Sequence, residues 1–228
     1  MRGFRTTFAA ALSALVLSST ASAYYHFIHF NGRNAPFVPM PEKYDVSALR
    51  NKTIYYYISD TGPSQQAQGD TFTGLISQIR LAAKNWNDVA SSDLRIAFGG
   101  LANSATPQDG PGIDISFSDD IPPGVWAMGG VASVSAPITG ASGPFVPIVR
   151  GMVRMPRNLT DIPSFTERGF MITQHELGHA LGLQHTFTSG TMSTEITRAT
   201  TKARPLSDDD IAGISVLYPT GAFLSQMG

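Results

Sequence analysis

The stretch QHELGHALGLQHTFTSGTM, Gln174 to Met192, holds the residues best suited to metal chemistry. His175, Glu176, His179, Gly182 and His185 fit the pattern H-E-x-x-H-x-x-G-x-x-H without a gap. On a helix, residues at i and i+4 project from one face, so the imidazoles of His175 and His179 can hold one Zn²⁺ at about 2.0–2.1 Å each. Gly182 tolerates a positive φ and can end the helix by turning the chain back, which brings His185 round as a third nitrogen ligand. Three protein ligands leave the fourth tetrahedral position to water, the mark of a catalytic rather than a structural zinc site. Glu176 directly follows the first ligand, where its carboxylate can reach that water without binding the ion. Three of the chain's five histidines fall within this short run, so a surface helix carrying them by chance is the weaker reading.

Several elements must position this site. Asn51 to Asp60 (NKTIYYYISD) has the β-branched and aromatic make-up of a strand. Asp70 or Thr71 can cap a helix running to about Ala90, in which Phe72, Leu75, Ile76, Ile79, Ala83, Trp86 and Val89 make one apolar stripe. Trp86 reads as core packing. LRIAF (Leu94 to Phe98) and IDISF (Ile113 to Phe117) alternate as half-buried strands, and Gly129 to Ala136 and Ile148 to Met155 are two further strand candidates. The zinc helix is expected to begin at Phe170. After Met192 comes a polar linker and then PLSDDDIAGISVLYP, where Ser207 and Asp210 form a capping box with Asp in place of Glu and Pro219 stops the helix.

The chain has 228 residues, 42% of them hydrophobic, with no cysteine and a formal charge of −1. That suffices for one domain with a full core. No basic cluster supports nucleic-acid binding, and no disulfide can form. Arg2 and Arg5, the apolar run Phe8 to Leu17, and Ala21-Ser22-Ala23 read as a secretory signal cleaved after Ala23; the run is short of the roughly 20 residues that span a bilayer. The expected organisation is a signal peptide (Met1 to Ala23), an N-terminal segment (Tyr24 to Arg50), a domain carrying the zinc pattern (Asn51 to Pro219) and a loose tail (Thr220 to Gly228). His26 and His29, among the aromatics of the N-terminal segment, are read as surface or packing histidines. A secreted monomer, extracellular or periplasmic, without stable membrane association is expected. The sequons at Asn51 and Asn158 match a glycan acceptor pattern that also arises by chance.

The zinc pattern with its trailing Met192 resembles the metzincin clan of zinc endopeptidases. The order of elements from about Thr53 to Pro219, with Asp209-Asp210-Ile211 in the last helix, is similar to the matrixin branch. The resemblance implies an α+β domain of zincin-like fold: a twisted, mostly parallel sheet with one antiparallel edge strand, long helices packed on it, and the zinc helix as the cleft floor. It implies that the strand at Gly129 to Ala136 pairs with extended polypeptide substrate, and that Met192 is a hydrophobic base beneath the histidines. The chain also departs from the matrixin pattern. No propeptide of the family's length is expected, and without cysteine no thiolate can cap the zinc. Ser133 stands near a position where the family carries histidine, and GMVRM (Gly151 to Met155) lacks the usual His and Asp, so a second, structural zinc is not expected. Calcium is possible but unsupported, with Asp114, Asp119 and Asp120 read as solvated acids. Ser193-Thr194 replace the family's tyrosine and proline after the methionine.

These features point to a secreted zinc endopeptidase with His175, His179 and His185 as ligands and Glu176 as general base. The rival readings are a secreted zinc-site binding protein with little turnover, which the presence of Glu176 disfavours, and a zinc amidase acting on small or cell-wall peptides.

Overall fold

The computed structural model describes residues 24–30, 32, 34–103, 110–134, 136–194 and 206–227; the expected signal peptide lies outside the described residues. Short strands open the chain: β1 (Tyr25–His26), β2 (Ile28–Phe30) and β3 (Pro39–Lys43). There follow β4 (Thr53–Ser59), β5 (Gln65–Gln66), helix α1 (Phe72–Asn87), β6 (Arg95–Ala102), β7 (Gly112–Ser118), β8 (Met128–Ser133), β9 (Ile138–Gly140) and the long β10 (Gly143–Pro156). The rest comprises β11 (Asn158–Leu159), α2 (Glu167–Ala180), β12 (Leu183–Gln184), α3 (Asp208–Leu217) and α4 (Gly221–Met227).

The main sheet runs β2-β3-β10-β7-β4-β6, with β8 and β9 paired to β10. The run β3-β10-β7-β4-β6 is parallel throughout, whereas β2 joins β3 antiparallel and β8 and β9 join β10 antiparallel. This is the mostly parallel sheet with an antiparallel edge strand that the family resemblance implies. β4 shows why the sheet is covered on one face: Ile54, Tyr56 and Ile58 are buried while Tyr55 between them is exposed. On α1, Leu75, Ile79, Ala82, Ala83 and Trp86 are buried in a stripe of helical period. They share one core with β4, β7, β10 and α2.

Helix ends follow local chemistry. Thr71 caps α1, its hydroxyl accepting from the Gly74 N–H at 3.0 Å. α2 begins at Glu167, earlier than the expected Phe170, because the Thr166 hydroxyl accepts from the Gly169 N–H at 3.1 Å and starts the helix one turn sooner. The capping box of Ser207 and Asp210 is present in α3. The expected loose tail instead forms α4, where Thr220 accepts from the N–H groups of Phe223 and Leu224. No helix among the described residues is long and apolar enough to cross a membrane.

Candidate active site

α2 carries the first two histidines, and every residue from Gly169 to Ala180 is buried. Its burial needs partners for polar groups inside the fold, and α1 supplies two. The Trp86 indole N–H donates to the Gln174 carbonyl at 3.1 Å, and the Asn85 amide donates to Gln174 Oε1 at 2.6 Å. Gln174 in turn donates to the Thr191 hydroxyl at 2.9 Å.

Each helical histidine is oriented from behind. His175 Nδ1 lies 2.6 Å from the Thr191 carbonyl oxygen, and His179 Nδ1 lies 2.8 Å from that of Leu183. A carbonyl can only accept, so both Nδ1 atoms carry the proton and both Nε2 atoms present a lone pair. Burial lowers His175 to about 3 and His179 to about 4, so both rings are neutral near pH 7.

The third histidine arrives through the turn at Gly182, whose φ is +102°. A side chain there would be strained, and a Cβ would also stand 2.7 Å from the Glu42 carbonyl oxygen. The turn is held on two sides. Tyr218 donates its hydroxyl to the Leu181 carbonyl at 2.7 Å, and the Phe27 N–H donates to the Gly182 carbonyl at 3.0 Å. β12 then pairs antiparallel with β1 and delivers His185.

The three Nε2 atoms form a nearly equilateral triangle with sides of 3.0, 3.1 and 3.1 Å. Two of these nitrogens have no proton to share, so the convergence is repulsive unless a cation lies between them. Tetrahedral ligands at the usual zinc–nitrogen distance stand about 3.3 Å apart, close to the triangle observed. The donor set fits a single zinc ion, and it is the one cluster of three or more His, Cys, Asp or Glu side chains suited to a metal among the described residues.

Glu176 is only 7% exposed. Burial pushes its carboxyl up to about 8, partly opposed by a hydrogen bond from the Gly129 backbone. Gly129 lets β8 approach the helix: a Cβ there would collide with the Glu176 carbonyl oxygen and stand 2.7 Å from His179 Cβ. The cleft between β8 and α2 has a volume of about 330 Å³, and its walls include Trp126, Met128, Ile172, Ser193 and Thr194. Arg168, one turn before Ile172 on α2, stacks on Trp126 with its guanidinium 3.8 Å from the ring centroid. Ser193 and Thr194, where the sequence departs from the matrixin pattern, thus lie on the cleft wall.

Met192 is buried beneath α2, and a Cβ at Gly178 would collide with its sulfur. The turn carrying it hangs from α3: the Asp210 carboxylate accepts from the Thr191 N–H at 2.8 Å and the Met192 N–H at 3.0 Å. Asp210 therefore does more than cap its own helix. Its second task escaped the sequence reading, as did the supporting parts of Asn85, Gln174 and Thr191. The one available signal was Gln174 itself, a polar residue on the buried side of the first ligand.

Other residues singled out from sequence lie elsewhere. His26 Nε2 is 3.0 Å from the Gly213 carbonyl oxygen and belongs to the packing of the N-terminal segment on α3. Ser133 donates to Glu42 at 2.7 Å. Asp114 accepts two 2.6 Å bonds from Arg150, so it is ion-paired rather than merely solvated. Asp119 and Asp120 lie 3.7 and 3.9 Å from Arg157 and Arg154.

A three-histidine face under an antiparallel edge strand, with a buried methionine turn below, defines a metzincin. The sequence matches the matrixin family model over residues 52–219, and the chain belongs to that family of zinc-dependent endopeptidases.

Proposed function

We propose that this protein is an exported endopeptidase in which His175, His179 and His185 hold one zinc ion and Glu176 is the general base. The observation that carries the reading is the convergence of three Nε2 atoms within 3.1 Å of one another beside the Glu176 carboxylate. When bound, zinc supplies Lewis acidity that acidifies water and polarises a carbonyl oxygen.

The chain's own residues do the rest. Thr191 and Leu183 hold the two helical imidazoles in the tautomer that offers Nε2. Gly129 steadies Glu176 through a backbone N–H without neutralising it. The Glu176 carboxylate takes a proton from the attacking water and returns it to the leaving amine nitrogen. A bound dication beside this carboxylate favours its ionised form, offsetting the effect of burial. Among the described strands β8 pairs with β10 alone, so its other edge can take an extended polypeptide by backbone hydrogen bonds. Export rests on the charged, apolar and small-residue succession from Arg2 to Ala23.

Incubation of the purified protein with casein, with and without 1,10-phenanthroline, tests the reading. Cleavage that the chelator abolishes and added zinc restores is the expected result. Cleavage unaffected by chelation, or no cleavage by zinc-loaded protein, would overturn it. Export is tested separately by the N-terminal sequence of the processed product, expected to begin at Tyr24.

A further inference from the structure

Phe187 lies two residues beyond His185 and is 85% exposed. Its ring meets Tyr25, itself 48% exposed, edge to face at 6.1 Å between centroids and 80° between planes. Two aromatic rings so placed cover little of the core, yet the backbone beneath them is firmly held. Tyr25 pairs with Gln184 across β1 and β12. Thr186 is fully buried, its N–H donating to the Met192 carbonyl at 2.8 Å and its carbonyl accepting from the Thr194 N–H at 3.3 Å. The rings are therefore presented to solvent on a rigid base, continuous through Thr186 with the Ser193–Thr194 wall of the cleft.

The ledge carries no charge of its own: neither Tyr24 to Phe30 nor Leu183 to Thr194 contains a Lys, Arg, Asp or Glu. The two acids of α3 that line the small cavity beside Tyr25 are taken up elsewhere: Asp209 accepts from the Thr188 hydroxyl at 2.9 Å and Asp210 from the Thr191 and Met192 N–H groups. Rigid aromatic surface of this kind binds apolar and aromatic side chains through area and ring-edge contacts, at small entropic cost. Reach is set by the chain: two residues span at most about 7 Å, and an extended peptide advances roughly 3.3 Å per residue. A substrate residue two to four positions from the cleaved bond thus comes level with the rings.

We propose that Tyr25 and Phe187 form a recognition ledge on the His185 side of the cleft, taking an apolar or aromatic substrate side chain two to four residues from the scissile bond. The proposal rests on the endopeptidase reading above. It assigns part of the specificity to Tyr25, which lies outside the matched span of residues 52–219.

The test is a set of quenched fluorescent peptides sharing one cleavable core, with Phe or Ser at the second, third or fourth position on either side of the bond. For wild type, Phe at one of these positions is expected to raise kcat/KM about tenfold over Ser, mainly through KM, as befits an aromatic anchor. Phe187→Ala and Tyr25→Ala should each bring that Phe/Ser ratio close to one, and Phe187→Tyr should retain it. General loss of fold or zinc lowers both peptides together and leaves the ratio intact, so a preserved ratio in both alanine variants overturns the ledge. Equal cleavage of Phe and Ser peptides by wild type overturns it as well, while leaving the endopeptidase reading in place. A preserved ratio accompanied by loss of vesicle binding or of a concentration-dependent dimer in Phe187→Ala would reassign the rings to a lipid surface or a second copy. If zinc-loaded wild type cleaves no peptide at all, the endopeptidase reading falls and takes the ledge with it.

Discussion

Glu176 sits where burial alone would neutralise it, and this makes its role separable from that of the ligands beside it. Glu176→Gln keeps the side-chain volume and leaves all three imidazoles in place. Zinc content by atomic emission should stay near one per chain, while casein hydrolysis falls by on the order of 10²–10⁴. A variant that retains wild-type turnover would remove Glu176 from the proton-transfer role. Met192 is the opposite case. Its sulfur packs against Gly178 and no metal-facing contact is needed from it, so the volume-conserving Met192→Leu should leave zinc content almost unchanged; complete loss of metal would make the thioether a ligand.

Among the elements, the turn below the metal site depends on α3 at a distance in sequence. Asp210 is 2% exposed and accepts from the backbone of Thr191, Met192 and Ser207. Asp210→Ala leaves three buried or half-buried N–H groups without their acceptor, a loss on the order of 3 kcal/mol or more. The expected outcome is a lower midpoint in urea together with weaker zinc retention, because Thr191 also orients His175. Unchanged zinc retention in the destabilised variant would uncouple the cap from the metal site. Elements of this kind differ in how legible they are. α1, α3 and the strands at Ile54 and Ile113 announce themselves by period, since each buries one face of a continuous stripe. The ligand spacing in α2 is equally local. β1, β2 and β12 are two or three residues long, and their pairing joins Tyr25 to Gln184 across most of the chain; no local period encodes that. The same holds for Asn85, whose bond to Gln174 spans two helices, and for Gly129, whose absent side chain matters only once β8 lies on α2.

At the scale of the whole molecule, the buried site couples stability to pH. In metal-free protein His175 and His179 titrate near 3 and 4, well below the ordinary 6.5. An unfolded chain takes up those protons as pH falls below 6.5 and the folded chain does not, so stability is lost on the acid side. Glu176 works in the other direction. Its folded value of about 8 exceeds the ordinary 4.5, so its contribution is full at low pH and is lost as pH rises through 8. Burial lowers His26 and His185 as well. The histidines thus outweigh the one glutamate below 6.5 while Glu176 dominates just above it, so the Tm of chelator-treated protein should peak near pH 6.5. Zinc should raise Tm throughout and remove the alkaline decline, because the cation holds Glu176 ionised. A metal-free Tm that still climbs between pH 6.5 and 8 would contradict the burial assigned to Glu176.

The central claim is that three imidazole nitrogens share one ion and leave room for one further ligand, and X-ray absorption at the zinc edge of the fully loaded protein tests it most directly. The account predicts one zinc per chain with three imidazole nitrogens and one water oxygen, all at about 2.0–2.1 Å, and a shell that loses one imidazole in His185→Ala. A shell that His185→Ala leaves unchanged, or one filled by four protein ligands, would contradict it.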